Sequence, residues 1–327
     1  MLATKTMPSS KAAIAPKLMV AAVIAAAFAG SVALRQTLGR PMVARGEVAA
    51  ETAAKAACAP PCKRIVSLSP STTEILFALG VGERVVGVSR YCRFPPEAQK
   101  RTNVGGFLDP NYEVIFALNP DLVVLRGEDD STKQAFERLG VRTLPVLHDS
   151  IDGILTSIRD IGQTCGVEAE ARRMTADLEA NMRRMERKTA GLARPRVMIV
   201  AERALGEGRI EDVYIAGQGG FLDRLIHLAG GQNACGPSFS GFPVVSKEGI
   251  FKMNPEVIVD LIARERQNGH SQEQLAGEWR QLAQVAAVAG GRVHIVDDDF
   301  AFIPGPRFMQ FVDRLARLIH PEVDWTP

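Results

Sequence analysis

The chain is poor in aromatic side chains, with two tryptophans, three tyrosines and fourteen phenylalanines in 327 residues. A long platform for stacking bases is excluded, and any stacking site must rest on a few named rings. Charge of one sign is lacking too. Lys and Arg number 39 and Asp and Glu 37, a formal net charge of +2, and no run of Lys and Arg is interleaved with aromatics. The electrostatic footprint of a nucleic-acid binder is missing. Catalytic signatures are also missing. No G-x-x-x-x-G-K-[ST] occurs, Gly217-Gln218-Gly219-Gly220 does not fit G-x-G-x-x-G, and there is neither a G-x-S-x-G elbow nor an H-E-x-x-H pair.

Histidine and cysteine are few. His148, His227, His270, His294 and His320 are scattered, with no two at ligand spacing. Four read as surface or cap residues. His148 directly follows a strand pattern, and the carboxyl ends of parallel strands are where open α/β sheets bind ligands. The five cysteines are Cys58, Cys62, Cys92, Cys165 and Cys235. An odd count leaves at least one thiol over in an oxidising compartment. Cys58 and Cys62 flank Ala59-Pro60-Pro61 and are spaced to close a small loop. A metal clip on the same pair lacks a second Cys or His pair. Pairing among the other cysteines is left open.

The N-terminus carries an address. Lys5, Lys11 and Lys17 form a basic region, Leu18 to Leu34 holds no charge, and Ser31-Val32-Ala33 offers small residues for cleavage. Residues 1–34 read as a secretory signal peptide, with an uncleaved membrane anchor as the alternative. Both put the remainder in the periplasm or another extracytoplasmic space. Lys55-Ala56-Ala57-Cys58 fits a lipobox poorly, because Lys stands where a large aliphatic residue is wanted. Residues 35–63, rich in Ala, Glu, Lys and Arg, read as a linker.

From Arg64 the pattern alternates. Arg64 to Leu68 and Arg84 to Val88 read as strands, and Thr72 to Gly80 has helical apolar spacing with a Gly stop. The alternation continues to Leu144-Pro145-Val146-Leu147, as in a parallel α/β sheet. Helical spacing then covers Ile151 to Cys165. Glu168 to Thr189 follows, polar and free of Gly and Pro, and reads as one long helix. A strand restarts at Arg196, and the last helix spans about Arg307 to Ile319. A repeat supports two related lobes. Residues 113–124 (EVIFALNPDLVV) align without gaps to residues 248–259 (EGIFKMNPEVIV), sharing Glu, Ile, Phe, Asn, Pro and the final Val. Each copy reads as a short helix, an Asn-Pro turn and a buried strand. The expected fold class is α/β: two parallel-sheet lobes, residues 64–165 and 193–327, joined by a backbone helix within 166–192.

Several motifs, weak singly and specific in their order, carry a family resemblance. Arg64-Ile65-Val66-Ser67-Leu68-Ser69-Pro70-Ser71-Thr72-Thr73-Glu74 opens the series. Val85-Val86-Gly87-Val88, Tyr91-Cys92-Arg93-Phe94-Pro95-Pro96-Glu97, Val104-Gly105-Gly106 and Asn119-Pro120-Asp121 follow. Leu228-Ala229-Gly230-Gly231-Gln232-Asn233, Val245-Ser246-Lys247-Glu248 and Asn254-Pro255-Glu256 complete it. From Arg64 to Pro321 the chain resembles the periplasmic substrate-binding proteins of ABC importers for cobalamin, haem and ferric siderophores. Tyr91-Cys92 and Ile303-Pro304-Gly305-Pro306-Arg307-Phe308 are most similar to members described as cobalamin-binding.

That resemblance implies a metal chelate held between two lobes that move little, with a membrane permease as partner and a monomeric binding protein. No cofactor is implied beyond the chelate. It also implies one exposed Glu per lobe docking on the permease, at Glu113 and Glu248; each Glu would equally favour the first turn of its helix. The strand-end loops supply the expected ligand contacts: Tyr91, Cys92, Arg93, Phe107, Arg126 and His148 from the first lobe, and Glu202, Gln218, Phe242, Asp299 and Arg307 from the second. Arg307 is expected to recognise an anion at a helix N-terminus, or else to pair with Asp297, Asp298 or Asp299. Two other functions compete: an exported enzyme with Cys92 as nucleophile and His148 as base, and a membrane-tethered sensor without a permease.

Overall fold

The computed structural model describes residues 62–127, 130–138, 140–263 and 269–325. The expected export segment, most of the linker, and Cys58 lie outside the described residues.

In the first lobe, β1 (Ile65–Ser67), β2 (Val85–Val88), β3 (Thr102–Asn103), β4 (Leu122–Arg126) and β5 (Thr143–Val146) form one sheet in the order β3-β2-β1-β4-β5. Every pair is parallel. The central strands β1 and β4 are almost wholly buried, as their unbroken apolar runs require. The helices are α1 (Pro70–Ala78), α2 (Tyr112–Ala117), α3 (Asp130–Arg138) and α4 (Ile151–Cys165). Ser69 caps α1 by accepting the Thr72 amide, with Pro70 in the first turn. Ser150 caps α4, and Gly166, at φ 69°, ends it.

Next comes α5 (Glu168–Thr189), unbroken over 22 residues and so about 33 Å long. Its buried positions are Ala171, Thr175, Leu178, Met185 and Thr189. Steps of three, four and seven draw a narrow apolar seam on an otherwise charged helix. At its end the Thr189 hydroxyl donates to the carbonyls of Met185 and Leu228, which ties the helix to the second lobe.

The second lobe contains β6 (Arg196–Arg203), β7 (Val213–Ile215), α6 (Phe221–Leu228), β8 (Gln232–Asn233), β9 (Val244–Val245), α7 (Lys247–Met253), β10 (Val257–Leu261), α8 (Gln272–Gly277), α9 (Ala286–Ala289), β11 (Val293–Val296) and α10 (Phe308–Ile319). Its sheet runs β11-β10-β6-β7-β9, with β8 also on β6. β11, β10, β6 and β8 are parallel, whereas β7 and β9 form an antiparallel edge. That edge departs from the purely parallel expectation for a local reason. Only Ala204 to Asp212 joins β6 to β7, too short for the crossover that parallel pairing needs.

The repeat folds alike in both lobes. Asn119 and Asn254 both take φ 44°, the left-handed region, where the helix ends. The acid after each Asn-Pro latches the start of the neighbouring strand. Asp121 accepts the amides of Lys63 and Arg64 at 2.7 and 3.1 Å, and Glu256 accepts that of Arg196 at 2.9 Å. One apolar cluster joins the lobes, running from Ile65 and Ile75 through α4 and α5 to Phe308, Phe311 and Leu315.

Candidate functional site

Chain direction fixes where the strand ends lie. β1, β2, β4 and β5 share one direction in the first lobe, as do β6, β10 and β11 in the second, so each lobe gathers its strand-end loops at one edge. The two edges meet where the loop after β11 touches α1. There Arg307 donates Nε to Glu74 Oε2 at 3.0 Å and Nη2 to Glu74 Oε1 at 2.6 Å. The same guanidinium donates Nη1 and Nη2 to Asp299 at 3.0 and 2.9 Å. Its carbon lies 3.8 Å from the centre of the Phe94 ring.

Glu74 is 2% exposed, and burial pushes its carboxyl above the ordinary range while Arg307 pulls the other way. Burial works against the Arg307 charge as well, but Glu74 and Asp299 outweigh it and hold the guanidinium charged. We take the pair as ionised, because a two-pronged contact needs a carboxylate that accepts on both oxygens. The structural alternative for Arg307 is therefore present through Asp299. The larger partner, Glu74 from the other lobe, was not expected.

A second knot surrounds the start of α1. Ser67, Ser69, Thr72 and Thr73 bond one another through hydroxyls. Cys92, 4% exposed, sits 3.1 Å from Thr73 Oγ1 and 3.2 Å from Ser89 Oγ. His148, 1% exposed, lies with Nδ1 2.8 Å from Ser71 Oγ. Its Nε2 has no protein partner among the described residues. Burial, reinforced by the Arg126 charge, drives the His148 pKa down to about 3, so the ring is neutral. Burial also pulls Arg126 down to about 10, with Asp149 opposing, and Arg126 stays charged.

These positions correct the enzyme reading. Burial pushes the Cys92 thiol up, away from the thiolate a nucleophile needs. Cys92 bonds Thr73 and Ser89, while His148 bonds Ser71, so no nucleophile–base pair forms between them. As contact residues, Cys92 and His148 lie beneath the site surface.

The remaining expected residues divide by lobe. Tyr91 is half-buried, with the Arg90 guanidinium 5.8 Å from its ring centre. Phe107 is half-buried and Arg93 exposed, both in strand-end loops. Glu202 lies in β6 opposite Tyr214, on the antiparallel edge. Gln218 donates Nε2 to the Cys235 carbonyl at 2.7 Å, which ties down the loop carrying Phe239 and Phe242. Phe242 packs on the large apolar cluster. Asp299 is held by Arg307. Trp279 is fully buried, its Nε1 donating to Asp260 beside the Arg203–Asp260 and Arg203–Glu278 ion pairs. It belongs to the second core and not to the site. Apolar side chains stand exposed in the strand-end loops: Phe94 at 38%, Leu108 at 62%, Leu147 at 44% and Phe239 at 55%.

Glu113 and Glu248 are each the second residue of their helices, α2 and α7, and both are exposed. Each helix runs back from the strand-end edge of its lobe, so both carboxylates mark that edge. Glu248 is held below the usual carboxylate range by its own backbone amide and by the Ser246 hydroxyl.

The residues missed from sequence are Glu74, Ser71, Thr73 and Phe94. For the first three the signal was the run Ser69-Pro70-Ser71-Thr72-Thr73-Glu74. Six polar or helix-starting residues open a helix whose next residues are apolar, and buried polar groups demand partners.

The comparisons agree with this architecture. The uncharacterized ABC transporter substrate-binding lipoprotein YvrC of Bacillus subtilis (strain 168) is 29% identical over 271 residues, 80% of this chain and 81% of that protein. A cobalamin-binding protein of Halobacterium salinarum (strain ATCC 29341 / DSM 671 / R1) is 29% identical over 268 residues, 79% of this chain and 69% of that protein. The apo structure of the periplasmic heme-binding protein RhuT from Roseiflexus sp. RS-1 superposes with a TM-score of 0.68 at 28% identity, covering 79% of this chain and 98% of that one. Residues 65–300 match the periplasmic binding protein family, and with two lobes meeting at their strand ends along a single backbone helix, the chain belongs to that family.

Proposed function

We propose that this chain is the extracytoplasmic substrate-binding component of an ABC importer, and that it captures a broad, largely apolar metal chelate of the corrin or haem type. The observation that carries the reading is the meeting of two strand-end edges. Phe94, Leu108, Leu147 and Phe239 are exposed there, where an apolar ligand face would remove them from water. Relatives named as cobalamin-binding and heme-binding support the same class. Tyr91, Arg93, Phe107, Arg126, Phe242 and Asp299 are the proposed contacts, and a membrane permease is the proposed partner. Arg307 sets the spacing of the two edges through Glu74 and has little donor capacity left for an anion.

The test is a titration of the purified protein, followed by visible absorbance and intrinsic fluorescence, with cyanocobalamin, haemin and a ferric hydroxamate. Saturable binding of cyanocobalamin or haemin is expected, with the ferric hydroxamate weaker. Binding of the ferric hydroxamate alone would move the ligand to the siderophores. Saturation by an amino acid or sugar, with no chelate bound, would overturn the reading.

A further inference from the structure

We infer that Cys62 and Cys165 form a disulfide that staples the entry of the chain to the end of α4. Both cysteines are buried, at 1% and 0% exposure, and their sulfurs stand 2.8 Å apart although they lie 103 positions apart in sequence. A modest side-chain rotation brings them to the bonding distance of about 2.05 Å. The surroundings hold both backbones in place. Arg84 Nη1 donates to the Cys165 carbonyl at 2.7 Å and to the Cys62 carbonyl at 3.4 Å. Buried cysteines often pack merely as small hydrophobes; among the described residues, Cys92 meets only the hydroxyls of Thr73 and Ser89, and neither it nor Cys235 has a sulfur partner. The 62–165 pair differs in facing sulfur to sulfur. The Cys165 thiol holds the Cys62 thiol below its ordinary value against burial and the Asp121 charge, while the same contact, with burial, pushes Cys165 up, so the two sulfurs share one proton-bearing contact.

The chemistry is thiol–disulfide exchange with an oxidised dithiol carrier, the class of oxidant available outside the cytoplasm. The Cys62 thiolate attacks one sulfur of the carrier disulfide, and the other carrier sulfur leaves as a thiolate. The Cys165 thiolate then attacks Cys62 Sγ in the mixed disulfide and displaces the first carrier sulfur. Two protein thiols lose two electrons and two protons, and the carrier disulfide becomes a dithiol. Cys62 lies three residues before the start of β1 and Cys165 ends α4, which runs against the strands. The staple therefore lies at the base of the first lobe, opposite the strand-end edge. It acts on stability and leaves ligand affinity alone.

The inference uses the extracytoplasmic reading only for its oxidant, so the test supplies one. Reduced full-length protein is refolded in oxidised and reduced glutathione, denatured, alkylated and digested. Cys58 and Cys62 fall in one tryptic peptide, so a Cys58→Ser variant is run beside the parent. The expected result in both is a peptide containing Cys62 cross-linked to the Cys165 peptide, with Cys92 and Cys235 alkylated. The oxidised protein should melt about 5–10 °C above the reduced one, and the Cys62→Ser/Cys165→Ser double variant should lose that difference. Full alkylation of Cys62 and Cys165 would overturn the inference, as would a Cys58–Cys62 link in the parent. The chelate titration is scored separately and can fail without touching this result.

Discussion

His148 shows how burial decides what a side chain does. A histidine at a strand end suggested a base or a ligand contact, yet at 1% exposure it is held neutral with a pKa of about 3. A folded-state pKa below the unfolded value means that the unfolded chain binds the extra proton. The stability tied to His148 is then present above about pH 6.5 and is lost as pH falls toward about 3. Between about pH 6.5 and 4.5 the loss amounts to roughly 2–3 kcal/mol. His148→Gln keeps a partner for Ser71 and removes the titration. Its melting temperature should fall less between pH 7 and pH 4.5 than that of the parent, and parallel curves would refute the assignment.

Arg307 belongs to the same scale. Arg307→Ala strips the buried Glu74 of its main partner, and breaking such a pair costs about 3–5 kcal/mol. The lower end is expected, because Glu74 already has a raised pKa and escapes part of the penalty by taking up a proton. Melting curves and chelate titration together separate the roles. A lowered melting temperature with affinity changed less than about tenfold fits the lobe-spacing role. A selective loss of affinity at unchanged stability would restore Arg307 as an anion anchor.

At the scale of elements, the packing of α4 on α5 has a sharp requirement. Gly162 lies where an added methyl would overlap the Ala171 side chain, so the helices approach there as only a glycine allows. Gly162→Val should destabilise by about 1–3 kcal/mol through overpacking. Gln163→Ala, on the exposed side of the same turn, should stay within about 0.5 kcal/mol. Denaturant unfolding of both variants checks the contrast, and equal midpoints would mean that the two helices are not held by this contact.

The elements were also the most legible part of the chain. Ile151 to Cys165 and Glu168 to Thr189 appear with the expected boundaries, because their apolar spacing and Gly166 are local facts. The last helix begins at Phe308, one residue after expectation, with Arg307 as its cap residue. The antiparallel pairing of β7 and β9 was not legible. Strand direction depends on where a connection lands, and short β segments carry no mark of it.

For the whole molecule, the repeat does what two equivalent halves allow. Glu113 and Glu248 occupy the same position on α2 and α7, one per lobe, and stay outside the ion pairs of the core. A docking role predicts that Glu113→Arg/Glu248→Arg loses uptake at least about tenfold while chelate affinity holds within about twofold, since exposed rim charges govern association. Uptake measured in cells carrying the permease, alongside titration of the purified variant, checks this. Undiminished uptake would leave both residues as helix-end acids only.

The sequence by itself determined the α/β alternation, the long connecting helix, the pairing of the two halves and the family, because these rest on period, spacing and the order of motifs along the chain. Only the tertiary structure decided which polar residues serve the site and which are consumed holding it. Glu74 and Arg307 lie 233 positions apart, as Cys62 and Cys165 lie 103 apart. Such meetings depend on how two finished lobes are set against one helix. Burial then fixes their charge, a property of the space around a side chain that its neighbours in sequence do not carry.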